Sequence, residues 1–280
     1  MKGVLANVTL ALAALSVCAA EPRVGCTIAF RGGYGPQQYQ SNAHFKRRPV
    51  VEAMAKDGLD VCLYNGWGKA DPVTSLRQFN CIWLITEHED ECPYEAEQVG
   101  DALKAYVEAG GGLVVCHSAG RYPEAPVDAF WRKVFLPFGA EILHEEIADF
   151  STRFRDPAVH QQEFFYAATK AVHPVTEGVP GLWLPMRGGF PSHCWSVPAV
   201  RYSPEWTPVL STSRTGKSYR KNVRTNFVEW SDDNAGFYRE GAPVAAVRTL
   251  GRGRIVFLAV HKDNCGWMYG IDRWPGVTEE

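Results

Sequence analysis

The residues best suited to covalent chemistry stand at the end of an apolar run, in the segment Gly110 to Gly120, "GGGLVVCHSAG". A buried strand that stops abruptly in Cys116-His117-Ser118 and two small residues suits a tight strand-to-helix turn. Such an elbow exposes its central side chain and offers the next backbone N–H to a developing oxyanion. Cys116 would then be the nucleophile and the His117 amide the donor, and a helix starting after the turn would increase the thiolate fraction. The competing reading makes Cys116 a small buried hydrophobe, like Cys62 and Cys81, and His117 a hydrogen-bonded strand-end group. The bulk of Val114, two residues earlier, favours that second reading.

A second constellation lies far along the chain in "GRGRIVFLAVHKDNCGW", Gly251 to Trp267. A late apolar run, Ile255 to Val260, delivers His261, with Asp263 two residues on. A base at a strand end, with a carboxylate near enough to fix its tautomer, is what a Cys–His nucleophilic system needs. A third set comprises Arg31-Gly32-Gly33 after the first apolar run and Glu87-His88-Glu89 after another. Glu87 and His88 have the chemistry for proton transfer or for a divalent cation, although a solvated acidic loop explains them as well. Arg31 and its glycines could present donors to a hydroxyl-rich or anionic ligand. They form neither a dinucleotide fingerprint nor a phosphate-binding loop, and no CxxC pair or Cys/His spacing suggests zinc. No cofactor and no metal are expected. Tyr34, Trp67, Trp183, Trp195 and Trp267 are candidates for stacking on sugar faces.

These groups need strands to carry them. Val24 to Phe30, Leu59 to Tyr64, Cys81 to Thr86 and Leu113 to Cys116 read as buried strands. Between them, helical spacing is clearest after Pro93, where Val99, Leu103, Tyr106 and Val107 share a face and Gly110 follows the end. Val127, Phe130, Trp131, Val134 and Phe135 mark another amphipathic helix, and Val50, Val51 and Met54 a shorter one. Strand–helix alternation with apolar strands predicts a parallel sheet covered on both faces. Ligands in such a sheet bind beyond the carboxyl ends of the strands, so the three sets should converge there. Further strands are expected at Glu163 to Ala167, Val209 to Thr212, Asn226 to Trp230, Ala245 to Arg248 and Ile255 to Val260. Arg187 to Pro208 reads as a long loop over the active face.

The chain has 280 residues, 46% hydrophobic and 21% charged, which suits packed domains and excludes a disordered or coiled-coil protein. Lys+Arg is 29 against Asp+Glu 31, so there is no global pull toward nucleic acid or anionic membrane. Residues 1–20 have the order of a secretory signal: Lys2, an apolar run from Val4 to Val17, then Cys18-Ala19-Ala20. They imply a signal peptide and an exported, periplasmic or secreted chain, with residues 21–280 as a single domain. A lipoprotein on Cys18 is the weaker variant because Val17 replaces the usual small residue, and no membrane span is expected in the mature chain. Removal of Cys18 leaves Cys26, Cys62, Cys81, Cys92, Cys116, Cys194 and Cys265, an odd set with at least one thiol unpaired within the chain.

Three segments resemble the ThuA-like (trehalose utilisation) family of the class I glutamine amidotransferase-like superfamily. They are "GGGLVVCHSAG", "HPVTEGVPGLW" from His173 to Trp183, and "PVAAVRTLGRGRIVFLAVH" from Pro243 to His261. The resemblance spans the chain after the signal and implies a flavodoxin-like three-layer sandwich with a mostly parallel central sheet. It also implies a protein that acts on or binds a carbohydrate or sugar derivative as its small-molecule partner. Cys116 departs from the aliphatic residue usual in ThuA-like proteins and resembles the elbow of the PfpI and glutamine amidotransferase relatives. Carried over from those relatives, a catalytic triad would be Cys116, His261 and Asp263, in a Cys-dependent amidase or hydrolase. "PSHCW", Pro191 to Trp195, stands where the family carries an acidic pair, leaving His193 as the candidate ligand-binding replacement. A non-catalytic carbohydrate-binding protein is the third possibility, since a fold does not fix a function.

Overall fold

The computed structural model describes residues 27–32, 54–63, 76–86, 94–117, 126–155, 163–187, 196–225 and 227–260. Each apolar run of the first half forms a strand: β1 (Thr27–Gly32), β2 (Asp60–Leu63), β3 (Cys81–Ile85) and β4 (Gly112–Cys116). Helix α1 (Ala96–Glu108) connects β3 to β4. It begins three residues after Pro93, with the Gln98 side chain accepting the Glu95 N–H at 3.0 Å, and it buries Val99, Leu103, Tyr106 and Val107 as the spacing predicts. Helix α2 (Pro126–Phe135) packs against α1 and buries Trp131, Val134 and Phe135.

The remaining strands are β5 (Ala140–Ala148), β6 (Phe154–Arg155), β7 (Glu163–Thr169), β8 (Gly181–Arg187), β9 (Val197–Tyr202), β10 (Thr207–Ser211), β11 (Lys217–Arg220), β12 (Pro243–Leu250) and β13 (Gly253–Leu258). The main sheet runs β2-β1-β3-β4-β13-β12-β10-β7-β6, with β8 also on β7. Pairing is parallel from β2 through β13 and antiparallel from β13 onward. A separate antiparallel sheet has the order β11-β5-β9.

The fold is therefore mixed α/β, with an antiparallel majority, and the expected parallel sheet accounts for only part of it. Connection length explains the change. Parallel neighbours need a crossover of a dozen residues or more, as α1 supplies between β3 and β4, whereas β12 turns into β13 through Gly251 and Arg252. Two sequence expectations are corrected here. Residues 227–230 carry only an isolated bridge at Val228 rather than a strand. The segment from Arg187 to Pro208, read as loop, contains all of β9, whose Val197, Ala199 and Val200 are buried.

Close backbone approach lets β13 lie beside β4. A side chain at Gly253 would run into the carbonyls of Val107 and Gly111, and one at Gly111 would strike the Tyr106 ring. Tyr106 is itself fixed, its hydroxyl donating to the Phe79 carbonyl at 3.1 Å. The glycine-rich stretches before β4 and β13 thus serve packing, and they set the register that aligns the opposite ends of those strands.

Candidate functional site

Four strands finish side by side. Ile85 and Leu258 are both register partners of Cys116, and Gly32 at the end of β1 pairs with Ile85. These strand ends therefore lie along one rim of the sheet. Backbone bonds continue one residue past β4: the His117 N–H donates to the Leu258 carbonyl at 3.0 Å, and the Thr86 N–H to the Cys116 carbonyl at 3.1 Å.

That extension changes the chemistry expected at Cys116. The strand does not break into an exposed elbow at the cysteine, and the His117 amide is already used in the sheet, so it cannot serve as the oxyanion donor. Cys116 is 1% exposed and is not disulfide-bonded. Its Sγ accepts a hydrogen bond from the Trp83 indole N–H at 3.0 Å. Trp83 is the register partner of Val114, so Trp83, Val114 and Cys116 share one face by strand alternation. This is the environment of a buried, packed thiol.

His117 faces the other way. It is fully buried, and its Nδ1 lies 2.6 Å from the Thr86 hydroxyl, which also approaches the Cys116 carbonyl at 3.4 Å. Whichever tautomer is present, Nδ1 is committed to Thr86, which fixes the ring plane and the direction of Nε2. The Phe257 ring packs edge-on against the imidazole with centroids 6.3 Å apart, and Phe135 of α2 packs on Phe257 at 5.2 Å. His117 is thus held from two strands and covered from the helix side, a rigid base for whatever sits on the rim.

The other sequence candidates divide by position. Arg31 and Gly32 end β1 at this rim. Gly33, Glu87, His88, Ser118, His193, His261 and Asp263 lie outside the described residues, as do residues 1–20. Topology brings together the strand ends that lead into Gly33, Glu87, Ser118 and His261. Among the described residues no group of three or more His, Cys, Asp or Glu side chains could hold a metal ion, and no helix is long and apolar enough to cross a membrane.

One polar cluster escaped the sequence reading. Asp149, fully buried, accepts from the Ser151 N–H at 3.1 Å and hydroxyl at 2.7 Å, the Ser213 N–H at 2.9 Å and the Thr215 hydroxyl at 3.1 Å. Burial pushes its carboxyl up, but the hydrogen bonds from Ser213, Ser151 and Thr215 outweigh that and hold it below the usual range. Strand β10 runs parallel to β13, since both are antiparallel to β12. The loop after β10 that carries Ser213 and Thr215 therefore leaves on the same side of the sheet as the rim. The Asp-x-Ser spacing, an N-terminal cap pattern, was the available signal.

These features define a mixed α/β protein whose parallel strands end in a common, hydrogen-bonded rim. No family model matches the chain, and no curated protein matches it in sequence. Solved structures do: a protein designated ThuA-like from Bacteroides uniformis is similar over 88% of this chain and 86% of its own, at 15% identity and a TM-score of 0.47. Its designation names the same family as the resemblance in the sequence. Two cytoplasmic proteins of Salmonella typhimurium are also similar. One covers 84% of this chain and 88% of its own at 12% identity and TM-score 0.45; the other covers 90% and 93% at 13% and 0.44. The exported location expected from residues 1–20 is not supported by these two neighbours, which are described as cytoplasmic, and it is not carried further.

Proposed function

We propose that the chain binds, and acts on, a small carbohydrate or sugar derivative at the rim of the parallel strands, in a single domain of flavodoxin-like, three-layer type. The observation that carries the location is the strand order β2-β1-β3-β4-β13, parallel throughout. The chain moves outward from β1 to β2 and then crosses to β3 on the other side, which makes the gap between the ends of β1 and β3 a topological switch point. Arg31 and Gly32 form one of those ends, with Gly33 next in sequence; Glu87 and His88 come shortly after the other, and Ser118 shortly after the end of β4. The sugar class is what the ThuA-like resemblance implies.

In this reading His117, pinned by Thr86, is a positioning residue beneath the ligand, and Cys116 belongs to the packing. His261 and Asp263, three and five residues beyond Leu258, supply a base and its carboxylate partner from the β13 side. The alternative, a hydrolase with Cys116 as nucleophile, draws support from the shared end of β4 and β13, but it requires the thiol to leave Trp83 and reach an opening.

The test is calorimetric titration of mono- and disaccharides and their oxidised or aminated derivatives into the native chain and the His261→Ala and Glu87→Gln variants. We expect saturable binding of at least one sugar, weakened about tenfold or more in each variant. Absence of binding across the panel, or affinity in both variants equal to that of the native chain, overturns the proposal.

A further inference from the structure

A cavity of 250 Å³ opens at the other end of β13, against the hairpin that joins it to β12. Its walls carry His173, Arg248, Arg254, Thr207, Thr249 and Glu205. Arg254 pairs in register with Thr249, and Thr207 with Val247, so two hydroxyls and a guanidinium come from neighbouring strands of one sheet. Val247 and Val256, both buried, supply an apolar floor.

The donors in this cavity are directed by the fold. His173 caps the 3₁₀ turn Pro174–Thr176, its Nδ1 accepting the Val175 N–H at 3.1 Å. With Nδ1 acting as acceptor, the neutral ring carries its proton on Nε2 and is a donor there. Arg248 spends one guanidinium nitrogen on the Phe138 carbonyl. Arg248 pairs in register with Ile255 and so springs from the sheet face opposite Arg254, with its Nε buried inside the protein. Glu205 is the single carboxylate on the wall. It is tied to the Ser203 hydroxyl and held below the usual carboxylate range, first by that bond, then by its own backbone N–H, with Arg248 adding to them. Two permanent cations and one anion leave the cavity with a positive excess.

We infer that this cavity is an oxyanion site for a phosphate group, separate from the rim proposed above. The site lies at the N-terminal end of β13 and the rim at its C-terminal end, so occupation of one does not require the other. His173 supplies a built-in reporter. Burial first, and then the nearby Arg254, depress its imidazole pKa. A phosphate seated against Arg254 offsets that repulsion and raises it.

The experiment is titration of the full chain with inorganic phosphate at pH 7.5 and constant ionic strength, read from the His173 ring resonances. The expected result is a saturable shift, a raised His173 pKa in the bound form, binding about tenfold weaker in Arg254→Gln and about threefold tighter in Glu205→Gln. Circular dichroism establishes that each variant is folded. Glu205 is exposed, so its variant keeps the test valid should Arg254→Gln not fold. No saturable shift at His173, an unchanged His173 pKa, or binding weakened by Glu205→Gln overturns the assignment. Sugar binding at the rim is untouched by either result.

Discussion

The parallel and antiparallel parts of the main sheet meet at β13 and solve the same packing problem differently. β4, in the parallel part, is buried at every position, because helix crossovers cover such strands and leave no face for water. β10, in the antiparallel part, is exposed at Thr207 and Pro208 and buried from Val209 to Ser211. Polar groups follow suit. In the parallel part they gather where strands end, so Thr86, His117 and the residues beyond Leu258 come from separate segments to one rim. In the antiparallel part they cluster in loops beside the strands, as Asp149, Ser151, Ser213 and Thr215 do. Both arrangements join distant segments, at strand ends in the first and between loops in the second.

The largest expected effect falls where the two parts join. Phe257 is fully buried, and its ring meets Phe135, Tyr202, Trp206 and His117. Phe257→Ala should destabilise the chain by about 3–5 kcal/mol in urea unfolding, in a single transition seen alike by far-UV circular dichroism and tryptophan fluorescence. Two separated transitions would show that the parts fold independently and that β13 does not couple them.

Next comes the loop pin. Asp149→Asn should cost about 1–3 kcal/mol near neutral pH, because the amide replaces one acceptor oxygen with a donor among donors. The folded carboxyl titrates below its unfolded value, so its contribution is present above the unfolded range and is lost as pH falls through the folded value. The stability gap between native chain and variant should therefore narrow in acid. A gap that stayed constant down to pH 2 would mean that the carboxylate charge is not what organises these loops.

The smallest effect is expected at the parallel rim itself. Cys116→Ala removes a buried sulfur that accepts from Trp83, and should cost about 1 kcal/mol while leaving ligand binding intact. A thiol reagent should label native Cys116 far more slowly than the urea-unfolded chain, followed by mass spectrometry of the peptide. Fast labelling of the native protein, with loss of turnover in the alanine variant, would restore the nucleophile and make the rim a covalent site.

Much of the parallel part was legible in the sequence. Continuous apolar runs closed by glycine or polar residues gave β1 to β4 and β13 to within a few residues, and helical spacing gave α1 and α2. That follows because a strand buried on both faces must be apolar along its length, and a helix against a sheet must be apolar on one stripe. β5 and β8 were not legible, since half-exposed antiparallel strands such as β5, with His144, Glu145 and Glu146 in its middle, mix polar and apolar residues. A break in the β5–β9 register between Ile142 and Glu146 blurs the alternation further.

At the site, the sequence alone determined which residue types stand at the strand ends: Cys116-His117, Arg31-Gly32, and His261 with Asp263. Only the tertiary structure decided where Cys116 and His117 sit and what they touch. A run that reads "VVCH" contains no information on whether its last residues stay in the sheet, because that depends on neighbours β3 and β13 supplying partners. Thr86 and Leu258, distant in sequence from position 117 yet adjacent in space, provide them, and in doing so they bury the thiol and lock the imidazole.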